Sequence, residues 1–414
     1  MNIAYVVQDL HRRGGTERCM LELAGAMTAR GHRTAVFASS MDSTALPETI
    51  WHCVPIVPWP SLARYLSFLL GNTLVRAAVR YHGRVQFDII HSTGPDVLRP
   101  AVTTLHCCTG AVADILSQQS CGSEWRRLSS VRRWHNILSY RAISLFERYV
   151  VRLGAQRVIA VSGALAADVE RHNGPLAGRL AVIPNGVNLE EFTPLPYSTR
   201  AEVRRELGVG ADEVVVLFVG YNWERKGVEV LVEALARLRA HSDLPPVSLT
   251  LVGGRGQAAY ESRVVERLAG RVRFLGSRTD LVRLYGASDV CVLPSLQESF
   301  GLPILEAMAC GLPAVVSRCA GVAELISDGI DGVLLSDPRD SEELARKLRD
   351  LVTDEGCRRR MGARARHTAE QYSWPEIAVR TESLYYELLR GGAARRQRDA
   401  RPQDPDRSHH WGWS

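Results

Sequence analysis

The order strand, glycine loop, helix, strand occurs twice in this chain, and that recurrence narrows the fold more than any other feature. The chain opens with the apolar run "NIAYVV", the polar loop "QDLHRRGGTE", the helical pattern "RCMLELAGAMTARGH" and a second run, "RTAVFAS". Uninterrupted apolar runs alternating with helices are what a parallel sheet covered on both faces requires. Further runs follow at "FDIIHS", "AVTTLH", "RVIAVS" and "LAVIPNG". After "IPNGVNLEEFTPLP" the order begins again with "EVVVLFVG", the helix "GVEVLVEALARLRA", "VSLTLVGG", "VRFLG", the helix "DLVRLYGAS" and "DVCVLPS". The pattern predicts an α/β fold of two doubly wound parallel-sheet units, residues 1–190 and 191–373, facing a central cleft. An amphipathic helix over 374–392 is expected to pack on the body. Residues 393–414, rich in glycine, arginine and proline without apolar periodicity, read as a disordered tail. Such sheets bind ligands beyond the carboxyl ends of their strands, which makes the cleft the expected site.

Length and composition agree with this reading. A chain of 414 residues suits two domains of roughly 150 to 200 residues each. Its 46% hydrophobic and 23% charged content is that of a soluble globular protein. The nine cysteines show no metal-like CxxC spacing, so a reduced, cytoplasmic compartment is the expectation. The start "MNIAYVVQ" does not read as a secretory signal. The run "YLSFLLGNTLVRAAV" is interrupted by Gly71, Asn72 and Arg76, short of the ~20 apolar residues a spanning helix needs. The net charge of +6 rests on arginine, because Lys226 and Lys347 are the only lysines.

The most informative stretch is "PSLQESFGLPILEAMACGLPAVVS", Pro294 to Ser317. An apolar strand feeds a tight polar loop and then a helix with Pro303 near its first position. Free backbone N–H groups and the dipole make such a helix start an anion site. Glu298 stands in the loop and Glu306 on the helix, so both carboxylates could lie along one ligand with phosphate between them. Carboxylates are acceptors suited to vicinal sugar hydroxyls. Taken singly, either glutamate could equally be a helix cap or a solvated surface group.

This stretch, with seven residues between its glutamates, resembles the signature of retaining GT-B glycosyltransferases of family four, the group 1 glycosyltransferases. The resemblance extends through "FLGSRTDLVRLYGASDVCVLP", "CAGVAELISDGIDGVLL", "VIPNGVNLEEF" and "VGYNWERKGVEVLVEAL", nearly the whole chain. It implies a GT-B fold with Rossmann-like halves, the first binding acceptor and the second binding a nucleotide-sugar donor. It places Glu298 on the donor sugar and Glu306 on the nucleotide ribose. Gly301 and Leu302 then offer backbone N–H groups at the turn beside the phosphates, which Pro303 cannot. Arg225 and Lys226 in "ERKG" supply positive charge to the leaving diphosphate. His106, ending "AVTTLH", matches a histidine that reaches the donor sugar across the cleft. Gly14 and Gly15, in the loop after the first strand, permit close backbone approach to the donor diphosphate or to the acceptor, and Ser162 is a weaker candidate. Many members carry an arginine directly after the strand-ending glycine, whereas Tyr221 follows Gly220 here. Either Arg225 alone supplies the second charge or phosphate is held more weakly. No metal and no cofactor are implied, since the one Asp-x-Asp spelling, Asp404 to Asp406, lies in the tail.

The implied reaction moves a hexose, with UDP-glucose the favoured donor, to a hydroxyl acceptor with anomeric retention. The stretch from Glu124 to Arg157 mixes arginines with tryptophan, leucine and phenylalanine at helical spacing, a pattern able to lie on an anionic membrane. An ordinary solvated helix face is the alternative. Together with "RRGGTER" and "NWERKGV" it inclines the resemblance toward lipopolysaccharide core and other envelope-glycan transferases, cytoplasmic and peripheral on the inner membrane face. A nucleotide-sugar epimerase of the same fold and a catalytically silent glycan-binding scaffold are the competing readings. Nucleic acid is not an expected partner, because basic residues are interspersed with acidic ones and no recognition motif appears.

Overall fold

The computed structural model describes residues 1–399 apart from 12–13, 43, 84, 118–129 and 255–257; the side chains of 116, 130–133, 258–259 and 392–399 are also outside the description. The described residues form two parallel sheets. The first contains β1 (Asn2–Val6), β3 (Arg33–Ala38), β5 (Ile50–Cys53), β6 (Ile89–Thr93), β7 (Val102–Leu105), β8 (Arg157–Ala160) and β9 (Leu180–Val182), in the order β5-β3-β1-β6-β7-β8-β9. A small two-stranded sheet pairs β2 (Asp9–Leu10) with β4 (Ser40–Met41). The second large sheet contains β10 (Val214–Gly220), β11 (Val247–Gly253), β12 (Val272–Gly276), β13 (Val290–Leu293), β14 (Ala314–Ser317) and β15 (Val333–Leu335), in the order β12-β11-β10-β13-β14-β15.

The local sequence explains these elements. All seven residues of β10, "VVVLFVG", are buried, as expected of a central parallel strand with helices on both sides. In the second sheet the strand order changes direction between β10 and β13, and the loops leaving their carboxyl ends carry Lys226 and Glu298. That is the switch point at which open α/β sheets take their ligands. The first sheet changes direction between β1 and β6, and the loop beyond β1 leads to Gly14 and Gly15.

The two units are joined by two chain crossings that run side by side. Val187 N donates to Tyr372 O at 2.9 Å and Trp374 N donates to Val187 O at 3.3 Å. Gly186 is required there, because a Cβ would come within 2.8 Å of the Trp374 ring. The helix Trp374–Asp399, which runs past the expected end at residue 392, then returns to the first unit. Its Trp374, Ile377 and Tyr385 share a core with Ile3, Tyr5 and Met20. Residues 400–414, the rest of the expected tail, lie outside the described residues.

One polar contact inside this interface is fully buried. His91 on β6 pairs through Nδ1 with Tyr385 Oη at 2.5 Å and through Nε2 with Thr104 Oγ1 at 2.7 Å. Burial pulls the His91 pKa down to about 3, so the ring is neutral and depends on both partners. Tyr385→Phe strands one ring nitrogen without water. It is expected to cost about 1–3 kcal/mol, read as a lower urea midpoint at pH 7 with an unchanged slope. An unaltered midpoint would show that this contact does not hold the helix to the first unit.

Candidate active site

The loop after β10 is built to present Lys226. Asn222 adopts φ 54°, a left-handed conformation asparagine tolerates, and its Oδ1 accepts from Arg225 N at 3.1 Å. Trp223 anchors the loop by packing its ring on Phe274, with centroids 6.0 Å apart, and on Tyr260. Gly227 (φ 77°) ends the turn directly under the Pro294 carbonyl, where a Cβ would collide, and the helix Val228–Arg239 begins. The loop after β13 is tied to the first by two bonds. Leu296 N donates to Arg225 O at 2.9 Å, and Arg225 Nη1 donates to Gln297 O at 2.9 Å.

These ties bring Lys226 and Glu298 together. Lys226 Nζ stands 2.8 Å from Glu298 Oε2, with the two side chains 11% and 14% exposed. The approach lacks hydrogen-bond alignment at Oε2, so the carboxylate keeps acceptor capacity for a hydroxyl. The backbone of Glu298 is clamped as well, its N donating to Cys319 O at 3.3 Å and its O accepting from Gly321 N at 3.0 Å. Gly301 then takes φ 106°, open only to glycine at low cost, and its O accepts from Ile304 N as the helix Leu302–Ala309 starts.

The first unit closes over this loop. Gly15 packs so near Leu302 that a Cβ on it would lie 3.7 Å from Leu302 Cδ1. Beside it, the Glu17 carboxylate covers Gly14, occupying the place a Cβ would take. His106, just beyond β7, has its Nε2 buried without a hydrogen-bond partner among the described residues, and burial lowers its pKa to about 4. The Arg225 charge acts on the neighbouring Cys107 thiol, which puts the loop after β7 within electrostatic range of Arg225. Ser162 caps the helix Gly163–Asn173 and donates across the cleft to Ser299 O at 2.7 Å. Glu324 of the second unit accepts from Gly163 N and Ala164 N at 2.8 Å each. Ser162 is therefore engaged in holding the units together.

Glu306 is 6% exposed and already held: Oε1 accepts from Arg18 Nη1 at 3.1 Å and Oε2 from Tyr285 Oη at 2.8 Å. Burial pushes its pKa up, Arg18 and Tyr285 oppose that shift, and the Glu191 charge adds to it. Arg18, Tyr285, Ser299 and Glu324 carry no mark in the sequence that distinguishes them from ordinary helix and loop residues. Their partners lie far along the chain, 288 residues away for Arg18. No group of three or more His, Cys, Asp or Glu able to hold a metal ion occurs among the described residues.

Comparison with known proteins gives a consistent result. Residues 13–191 match the family described as Glycosyltransferase Family 4, and residues 213–354 match Glycosyl transferases group 1. The chain is similar to the D-inositol 3-phosphate glycosyltransferase of Xylanimonas cellulosilytica, 34% identical over 92% of this chain and 94% of that protein. With the protein of the same name from Streptomyces bingchenggensis it is 34% identical over 57% of this chain. That match spans about half the length of the relative, 54%. Among solved structures, WaaG, a glycosyltransferase involved in lipopolysaccharide biosynthesis, superposes with a TM-score of 0.70 at 25% identity, covering 91% of this chain and 98% of WaaG. Anabaena HepE, solved in complex with UDP and glucose, shares the fold with a TM-score of 0.69 at 24% identity, covering 94% of this chain and all of HepE (100%). Two parallel α/β sheets closing on a shared cleft, the spacing from Glu298 to Glu306 and these matches agree: the chain belongs to glycosyltransferase family 4, with the retaining GT-B transferases of group 1.

Proposed function

We propose that the protein transfers a hexose, glucose by preference, from a UDP-linked donor to a hydroxyl of a cell-envelope glycan or glycolipid, with retention at the anomeric carbon. The observation that carries this reading is the Lys226–Glu298 ion pair at the switch point of the second sheet. A lysine ammonium on a flexible stem can turn to a phosphate, while a clamped carboxylate with spare lone pairs accepts sugar hydroxyls. Arg225 adds a second fixed cation from the same loop, in the absence of an arginine at Tyr221. Gly301 and Leu302 present N–H groups at the helix start, and Glu306 receives the ribose. His106, neutral and unpartnered at Nε2, suits a hydrogen bond to the donor sugar. The cations stabilise the departing diphosphate, and a donor phosphate oxygen takes the acceptor proton. No protein nucleophile is needed.

The glycolipid side of the reading rests on the outer surface of the first unit. On the helix Ser130–Tyr149, Trp134, Leu138, Arg141, Leu145 and Arg148 are exposed at spacings of three and four residues, so they share one face. No acidic residue occurs from Trp125 to Phe146, or from Thr49 to Phe87 on the neighbouring segment, whose helix Ser61–Gly83 exposes Leu66, Leu70 and Leu74. Apolar anchors among arginines suit an anionic bilayer surface. No described helix is long and apolar enough to cross a membrane. A second reading of the acceptor, a polyol phosphate, is favoured by the name of the curated relatives, D-inositol 3-phosphate glycosyltransferase.

Four tests follow from these assignments. Presented with a panel of nucleotide sugars and either envelope lipid extract or inositol phosphate, the protein should release UDP from UDP-glucose fastest with the lipid. Glu298→Gln and Lys226→Met should each lower kcat/KM about 10²–10³-fold; release unchanged in both variants would sink the donor site. Because burial keeps the His106 pKa near 4, kcat/KM should show no His106 limb between pH 8 and 6. A fall near pH 6.5 that vanishes in His106→Gln would contradict its neutral role. Finally, the protein should sediment with vesicles containing anionic phospholipid and not with neutral ones, and a Trp134→Ser/Leu138→Ser variant should remain in solution; equal binding to both vesicle types would remove the membrane reading.

A further inference from the structure

Arg18 lies one turn into the helix Gly15–Ala29, beyond the glycine pair, and reaches from the first unit into the second. Its guanidinium forks between two carboxylates, Nη1 to Glu306 Oε1 and Nη2 to Glu191 Oε2, both at 3.1 Å. It also sits over the Phe192 ring, 4.9 Å from the centroid. Glu191 is fixed in turn, because Asn188 Oδ1 accepts from Glu190 N at 3.1 Å and Glu191 N at 3.2 Å. Glu191 is placed by a short local turn and Glu306 by its helix and its bond from Tyr285, so the contact is not a loose surface pair.

Its consequence falls on Glu306. A carboxylate this deeply buried is costly as an anion unless paired. Tyr285 supplies one donor from its own unit, and the only cation bonded to it among the described residues comes from the opposite unit. An ionised carboxylate has about four lone-pair sites, and Arg18 and Tyr285 use one on each oxygen. That leaves about two sites, one on each oxygen, with which to accept two neighbouring hydroxyls.

We propose that Arg18 is a positioning residue for the nucleotide ribose: reaching across the cleft, it balances the charge of Glu306 and orients it, so that ribose recognition by the second unit is complete only when the first unit has closed on it. The inference rests on the reading that Glu306 receives the ribose. It makes donor recognition depend on both halves of the molecule and gives Arg18 a role through Glu306, without contact to the reacting atoms. Lysine is not an equivalent, since one ammonium cannot span both carboxylates as a planar fork does.

Calorimetric titration with UDP and with 2′,3′-dideoxy-UDP separates this role from a structural one. The native protein should bind UDP about 10–100-fold tighter than the dideoxy compound, the worth of hydrogen bonds to a charged acceptor. Arg18→Met should bring the two affinities within about twofold of each other, by weakening UDP and leaving the dideoxy compound nearly unchanged; general loosening of the fold would weaken both. Arg18→Lys, which keeps the charge should the methionine variant fail to fold, is expected to retain only part of the preference. Glu306→Gln decides between causes. If it abolishes the preference while both Arg18 variants keep it in full, the inference is overturned and the ribose reading stands. If Glu306→Gln keeps the preference, or the native protein has none, the ribose reading fails and the inference with it.

Discussion

A lysine ammonium 2.8 Å from a carboxylate, both largely withdrawn from water, is the contact on which the proposed donor site depends. Removing either partner would leave the other largely buried and unpaired, which is strongly destabilising. The pair stands at the point where the second sheet reverses its strand order. The turn at Asn222, the Trp223 anchor, Gly227 beneath Pro294 and the cross-bonds between Arg225, Leu296 and Gln297 all hold this pair in place. Preorganised charge of this kind requires little rearrangement when a diphosphate departs.

The second constraint is closure. Among the described residues, the contacts that join the units at the cleft include Gly15 against Leu302, Arg18 with Glu306, Ser162 with Ser299, and Glu324 with the start of the helix Gly163–Asn173. Ser299 is the residue after Glu298, and Leu302 opens the helix that carries Glu306. Closure therefore bears directly on the loop between the two glutamates. The side-by-side crossings at Val187 and Trp374 are the places where the chain passes between units, and the returning C-terminal helix seals one of them onto the first sheet.

Much of this was legible in the sequence. The apolar runs that became β1, β3, β10, β11 and β13 are central parallel strands, whose two-sided burial leaves an unbroken signal. The short edge strand Ile50–Cys53 left none, because it is largely exposed and has no apolar alternation. Lys226 and Glu298 stood out by motif and by the scarcity of lysine, and the fold brings them into contact. The expected pairing of Glu306 with a ligand did not reveal Arg18, Tyr285 or Glu191. Side-chain partners separated by 21 to 288 residues leave no periodic trace. The same holds for His91 and Tyr385, whose contact spans 294 residues and is a consequence of the C-terminal helix crossing back.

The proposed donor site grips one sugar nucleotide at two ends, with Lys226 on phosphate and Glu298 on sugar hydroxyls. The most direct test compares the affinities of UDP and UDP-glucose in the native protein, Lys226→Met and Glu298→Gln. A grip at two ends predicts that the lysine variant weakens both ligands and the glutamate variant weakens UDP-glucose alone. Equal loss of both ligands in Glu298→Gln, or no loss of UDP in Lys226→Met, would contradict it.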